Sequence, residues 1–220
     1  MIIWKGRDLE VYCREDTSDW NTVQAAVGED EYGLAEIDMT GLLVFDVGAH
    51  IGSVGLWCAA RGARVVCVEP VPDNADLIER SAELNGLALS VERAVAGLEG
   101  TAHIRYGFHQ DATAEHHAFI GSTDPSVHDC LEVEVPSITL AWLCDLYGVP
   151  DIMKIDCEGG EWAWIDEPAI QDVPLVVGEW HPVAGHELAD FDYRMNPYFY
   201  VEYTGPVAGP GGFRAGSRRE

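Results

Sequence analysis

Hydrophobic positions follow two rhythms along this chain: short runs of branched residues, and stripes at helical spacing. Residues 42–47 form an apolar run broken only by Asp46, the pattern of a strand buried on both faces. Gly48 and Gly52 bracket the turn that follows. Val54, Trp57, Cys58 and Arg61 then share one helical face, which stops at Gly62. Residues 64–69 repeat the branched run. Pro72 opens a helix with an acid in its first turn, and that helix ends at Gly86. Residues 89–95 predict a third strand. Further on the same rhythm returns. Residues 139–147 read as a helix ending at Gly148, 151–156 as a fourth strand leading into a short helix through Ile165, and 173–180 as a fifth strand. Strands that alternate with helices predict an α/β fold on a doubly wound, mostly parallel sheet with right-handed crossovers.

Other stretches break the alternation. Residues 1–41 read as a preamble packed on the core: a hairpin about Gly6, Arg7 and Asp8, then a short helix over 19–27 with Ser18 or Asp19 as N-cap. Residues 101–106 read as a hairpin strand, and 131–135 alternate like a half-exposed one. Between them, residues 108–130 hold His109, Asp111, His116, His117, His128 and Asp129 with little apolar periodicity, the pattern of a long functional loop or lid. Residues 197–203 predict a final strand pair. The main domain so defined spans 42–204, and the Gly- and Pro-rich residues 205–220 read as a disordered tail.

Charge narrows the partners. A net charge of −25, from 13 basic and 38 acidic residues, argues against a nucleic-acid backbone, because phosphate binding needs a basic face. The acids are spread along the chain as a solvated surface would have them. No apolar run is long enough to cross a bilayer, and the N-terminus lacks the apolar core of a signal peptide. No membrane partner and a cytoplasmic location are therefore expected. The six cysteines include no CxxC pair, so neither a structural zinc site nor a disulfide framework is expected.

A strand, a glycine turn and a helix place free N–H groups and a positive dipole end beside a crevice. A dinucleotide fingerprint needs glycines where this chain has His50 and Ser53, and no Gly-Lys-Ser/Thr follows for a phosphate loop. What remains is Asp46 followed by Gly48 and Gly52. An acid at a strand end suits a cationic ligand that lacks phosphate, such as S-adenosylmethionine with its ammonium and sulfonium. Glu69, ending the second strand, stands where an acid accepts hydrogen bonds from two ribose hydroxyls.

With these residues the chain resembles the class I S-adenosylmethionine-dependent methyltransferases, and among them the FkbM family. Four ordered motifs carry the resemblance: residues 45–52; residues 68–70 with Pro72 and Asn74; residues 153–161, similar to a K-I-D-x-E-G-x-E signature; and Glu179-Trp180-His181, similar to an E-x-H ending. Gly160 stands where alanine is usual and Cys157 where valine is common; neither touches a polar function. The preamble, the histidine-rich segment and the tail are not covered. The resemblance implies a Rossmann-like class I methyltransferase fold. It also implies a cofactor site built from Asp46, Gly48, Ala49, His50, Gly52, Glu69, Pro70 and Asp156, with Ala94 and Val95 as the adenine wall. His50 replaces a common asparagine and would face the methionine portion. The implied activity is methyl transfer to oxygen in small molecules, sugars or lipids.

Methyl transfer demands an aligned nucleophile and exclusion of water. In an open parallel sheet the groups for this stand at the carboxyl ends of strands. Lys154, Asp156 and Glu158 end the fourth strand, and Glu179 and His181 end the fifth. Asp156 and His181 are the expected polar centre, with His181 as general base by its unperturbed pKa. Asp156 is expected to position the cofactor amine or the acceptor hydroxyl, Glu158 to cap the next helix, and Lys154 to pair with Glu179. No metal is assigned, although Asp156, Glu179 and His181 form an oxygen and nitrogen set that suits a divalent ion, and His109, Asp111, His116 and His117 form a second such group. The expected partner is a small-molecule methyl acceptor, with a homodimer as the expectation if the chain self-associates. The alternatives are a non-catalytic S-adenosylmethionine or nucleoside binder, an N- or C-methyltransferase, and an NAD oxidoreductase.

Overall fold

Alternation of side chains along each buried strand decides the layers. The computed structural model of the chain describes residues 1–106, 119–120, 131–182, 186–204 and 211–218. The chain opens with a hairpin of β1 (Ile2–Gly6) and β2 (Leu9–Cys13). Next comes α1 (Asp19–Val23), which runs on as a π-helical turn, Gln24–Gly28. The first α/β unit is β3 (Leu43–Val47), α2 (Ser53–Ala60) and β4 (Arg64–Val68). Helix α3 (Pro72–Asn85) has Pro72 in its first turn and a left-handed Gly86 after its last, as the sequence predicts. Short strands β5 (Ser90–Glu92) and β6 (Val95–Ala96) precede β7 (Gly100–Tyr106), β8 (Phe119–Ile120) and β9 (Leu131–Ile138). Then follow α4 (Leu140–Tyr147), β10 (Ile152–Ile155), α5 (Glu161–Ile165), β11 (Leu175–Trp180), α6 (Leu188–Met195), β12 (Phe199–Thr204) and β13 (Gly211–Ser217).

The main sheet has seven strands in the order β12-β13-β11-β10-β3-β4-β5. All neighbours from β11 to β5 are parallel, and β13 alone runs against both of its neighbours. Val44 and Val65 point to one face, where they meet α2, α3 and the N-terminal hairpin through Leu56, Ile78, Val11 and Trp4. Phe45 and Val66 point to the other, against Leu143 of α4, Trp164 of α5 and Phe191 of α6. A second sheet, β6-β9-β7-β8, sits beside the first. No helix among the described residues is long and apolar enough to cross a membrane.

Three expectations are corrected. The third strand, expected over 89–95, splits: β5 pairs with β4, but β6 pairs with β9 in the second sheet. The chain leaves the main sheet at Arg93, whose guanidinium bonds outward to Asp76 and Glu79 of α3. The segment from 205 is not a disordered tail throughout, because Gly211–Ser217 forms β13, with Phe213 and Ala215 buried. Its glycines hide a period-two pattern. The final pair is thus β12 with β13, and α6 lies before it, closed by a capping box between Glu187 and Asp190. Residues 109–117, 128 and 129, where the histidine-rich group falls, lie outside the described residues.

Candidate active site

Strand order reverses between β3 and β10, and a cavity of about 540 Å³ opens at their carboxyl ends. The turn after β3 supplies Gly48, Ala49, His50 and Ser53 to its wall. The end of β4 supplies Val68, Glu69 and Pro70, backed by Asn74; β6 and its approach supply Ala94 and Val95. From β10 come Lys154, Asp156, Cys157 and Glu158, and from β11 comes Glu179. The remaining wall belongs to the N-terminal segment: Ser18, Asn21, Thr22, Ala25, Glu31 and Tyr32.

Close packing explains the first glycine. Gly48 has φ of 69°, and a Cβ there would lie 1.8 Å from the carbonyl oxygen of Asp156. Only glycine lets the turn pass this close to the end of β10. His50 and Glu158 also hold left-handed backbone, φ 53° and 54°, so both strand-end turns are strained beside the cavity. The His50 ring reaches back to the N-terminal segment, with Nε2 3.4 Å from Arg14 and 3.5 Å from Asp19.

Glu69 is 3% exposed and holds the cofactor side of the site together. Its carboxylate accepts the N–H groups of His50 and Val71 at 2.8 and 2.9 Å, and the Asn74 amide at 3.2 Å. Burial raises its pKa to about 7 against the lowering effect of those hydrogen bonds. Three buried side-chain atoms on the cavity wall, Ser18 Oγ, Ser53 Oγ and Asn74 Oδ1, find no hydrogen-bond partner within the described protein. Such atoms fit a polar ligand, because leaving them unmet is costly.

Asp46 and Gly52 stand behind the wall and do not line the cavity. Asp46 is fully buried; its Oδ2 accepts the Gly55 N–H at 2.7 Å, and its Oδ1 lies 3.4 Å from Lys154 Nζ. The register sets this pair, since Lys154 lies directly opposite Asp46 across β10 and β3. Lys154 therefore pairs with Asp46 rather than with Glu179 as expected. It also donates to the Gly48 carbonyl at 2.7 Å and lies 3.7 Å from Asp156. Burial works against its charge, yet Asp46 and Asp156 hold its pKa above the ordinary value. Its charge joins the two strand ends.

At the far end of the cavity, Asp156 Oδ2 accepts the Tyr32 hydroxyl at 3.2 Å. Burial and the charges of Asp156 and Glu31 push the Tyr32 phenol well above its usual value, so it remains a donor. His181 lies beside this end. Its Nδ1 is 3.0 Å from Glu161 Oε1, and its backbone N–H donates to the same oxygen at 2.7 Å. Its Nε2 is 3.6 Å from Glu158, 3.8 Å from Asp156 and 3.8 Å from Glu179. Burial opposes the imidazolium, but Glu161, Glu158 and Asp156 outweigh it and bring the pKa up to about 9. In the ion-free site these carboxylates therefore favour the protonated ring, against its expected role as general base. At this end of the cavity the group with basicity near neutrality is a carboxylate, Glu179. Burial, then Asp156, hold Glu179 at about 7, and the same two causes raise Glu31.

Glu161, given no role by the sequence reading, organises this end. It is fully buried and also accepts the Gly159 N–H at 2.8 Å, which ties the turn into α5. The signal for it was an acid amid the tryptophans of an apolar helix. The N-terminal wall had no motif to announce it.

Comparison with known proteins agrees with this geometry. The Methyltransferase FkbM domain matches residues 46–201. No curated protein matches the sequence. Among solved structures, the fold is similar to precorrin-6y C5,15-methyltransferase from Geobacter metallireducens, at 13% identity over 88% of this chain and 89% of that one, TM-score 0.51. The C-terminal domain of precorrin-6Y C5,15-methyltransferase from Rhodobacter capsulatus is similar at 17% identity, covering 94% of each chain, TM-score 0.51. The Pyrococcus abyssi tRNA (uracil-54, C5)-methyltransferase in complex with S-adenosyl-L-homocysteine is similar at 13% identity over 97% of this chain and 43% of that one, TM-score 0.52. Sheet order and cavity together define a Rossmann-like methyltransferase fold. Within that class, the chain belongs to the FkbM methyltransferase family.

Proposed function

We propose that this methyltransferase uses S-adenosylmethionine to methylate a hydroxyl oxygen of a small molecule. The bound cofactor supplies a methyl group on a positively charged sulfur, which departs as a neutral thioether. On the protein side, Ala94, Val95 and Pro70 offer an apolar wall for a flat base, and Glu69 and Asn74 Oδ1 offer acceptors for hydroxyls. Ser18 and Ser53 offer hydroxyl donors for a carboxylate.

The observation that carries the oxygen reading is the cluster of carboxylates at the other end. Asp156, Glu179 and Glu31 all line the cavity there. A hydroxyl is a poor nucleophile until its proton has somewhere to go, and these groups supply acceptors. The basicity of Glu179, at about 7, suits the task, and Glu31 is raised in the same direction. The Tyr32 hydroxyl donates to Asp156, and Lys154 lies 3.7 Å from it. A cavity of about 540 Å³ suits a cofactor together with a small acceptor, and the net charge of −25 disfavours nucleic acid.

The test is incubation with carbon-labelled S-adenosylmethionine and a metabolite extract, followed by NMR of the labelled product. The carbon shift of the new methyl separates oxygen from nitrogen and carbon acceptors. An O-methyl product that disappears with Asp156→Asn supports the reading. A C- or N-methyl product overturns the acceptor assignment, and cofactor binding with no product from any extract overturns the catalytic one.

A further inference from the structure

We infer that Asp156, Glu179 and His181 form a binding site for a divalent cation of the manganese or magnesium type, at the acceptor end of the cavity. This deepens the reading above and rests on it for the ion's purpose, though not for the ion's presence.

The donors come from rigid places. Asp156 follows β10, Glu179 lies in its neighbour β11, and His181 follows β11 directly. One ligand atom from each lies within 4.8 Å of the other two. The histidine is the second, independent sign. Its side chain is only 9% exposed, and its Nδ1 is held by Glu161, which itself is fully buried. A carboxylate bound to one ring nitrogen is the arrangement that aims the other nitrogen at a metal. Nε2 is aimed into the carboxylates, yet it lies 3.6–3.8 Å from Glu158, Asp156 and Glu179, beyond hydrogen-bond length. Donor atoms each about 2.1 Å from a shared ion lie roughly 3–4 Å apart, and Nε2 stands 3.8 Å from both Asp156 and Glu179.

The charges agree. Lys154, the nearest ammonium, bonds the Gly48 carbonyl, pairs with Asp46 at 3.4 Å and lies 3.7 Å from Asp156 only, so among the described residues no ammonium pairs with Glu179. An ion would take the place of the Nε2 proton of His181; two carboxylates then balance its charge, and one imidazole with carboxylate oxygens suits manganese or magnesium better than a thiolate-seeking metal. Asp156 and Glu179 also line the cavity, so open coordination positions face the acceptor. An ion there would hold the acceptor hydroxyl and favour loss of its proton. Glu31, whose side chain makes no hydrogen bond among the described residues, would remain to receive that proton.

The test uses the full chain without acceptor. Manganese binding is read by the loss of the free-ion EPR signal, and cofactor binding by separate calorimetry. One manganese per chain is expected, weakened tenfold or more by Glu179→Gln and by His181→Gln. Glu179→Gln changes a partly exposed side chain and guards against a result caused by misfolding. Glu202→Gln, on a strand far along the sheet, should bind as the parent does. Absence of binding at millimolar manganese, or binding indifferent to both site variants, overturns the inference. If the cofactor binds and manganese does not, this inference alone falls. If the cofactor does not bind either, the proposed function falls with it.

Discussion

Lys154 and Glu69 are two buried ionisable residues with opposite consequences. Lys154 and Asp46 are 4% and 0% exposed, and the pair is 3.4 Å apart. Removing one member leaves the other charged and buried. Asp46→Asn should therefore cost about 3 kcal/mol of unfolding free energy in urea titrations, and the double change with Lys154→Met should cost less than the sum of the singles. Additive losses would show that the two do not interact. Glu69 carries a different signature, because its folded pKa of about 7 lies above the ordinary 4.5. Between those values the folded chain keeps a proton that the unfolded chain has released. Stability from this group is thus greatest at low pH and falls as pH rises from 4.5 to about 7, by about 3 kcal/mol at most. Glu69→Gln should flatten that part of the pH profile. The same variant should weaken S-adenosylmethionine binding, since an amide cannot accept from two hydroxyls with both atoms.

The elements were legible to different degrees, for physical reasons. Strands β3, β4, β10 and β11 are buried on both faces, and their branched runs gave them away, as Pro72 and Gly86 gave away α3. Strand β13 escaped because its buried Phe213 and Ala215 alternate with glycine and arginine, which resemble a tail in composition. Lys154's true partner escaped too, because register between strands is a three-dimensional fact that no local pattern encodes. Motifs picked out Gly48, Glu69 and Asp156, which the structure brings to one cavity, but no motif picked out the N-terminal segment on its wall. Ser18 occupies the N-cap position of α1, yet its hydroxyl makes no cap bond and is left without a partner on the cavity wall. Ser53, in the first turn of α2, is in the same state. Replacing either by alanine removes an unmet polar group, so the apo protein should be no less stable. The cofactor Kd should nevertheless rise about fivefold for each, the worth of one neutral hydrogen bond. Calorimetry beside thermal melts reads both halves. A loss of stability with unchanged Kd would place these hydroxyls in the fold and not in the site.

At the scale of the whole molecule, net charge dominates. Thirty-eight acidic side chains face 13 basic ones, so at neutral pH the average exposed charge meets repulsion. Some surface ion pairs oppose this, such as Arg93 with Asp76 and Glu79, and Lys5 with Glu10. Exposed pairs of this kind contribute little, and salt screens them as it screens the repulsion. The sign of the salt effect therefore reports which is larger. The excess of acids over bases makes repulsion the larger, so sodium chloride should raise Tm. The gain should be steepest at low ionic strength and level off once the screening length falls to about 3 Å near 1 M. The buried pair of Lys154 and Asp46 lies out of reach of mobile ions, so the Asp46→Asn variant should show the same salt slope from a lower starting Tm. A Tm that falls with salt in both proteins would mean that surface pairs outweigh the net charge. A slope that changes in Asp46→Asn would mean that solvent ions reach the strand ends beneath the cavity.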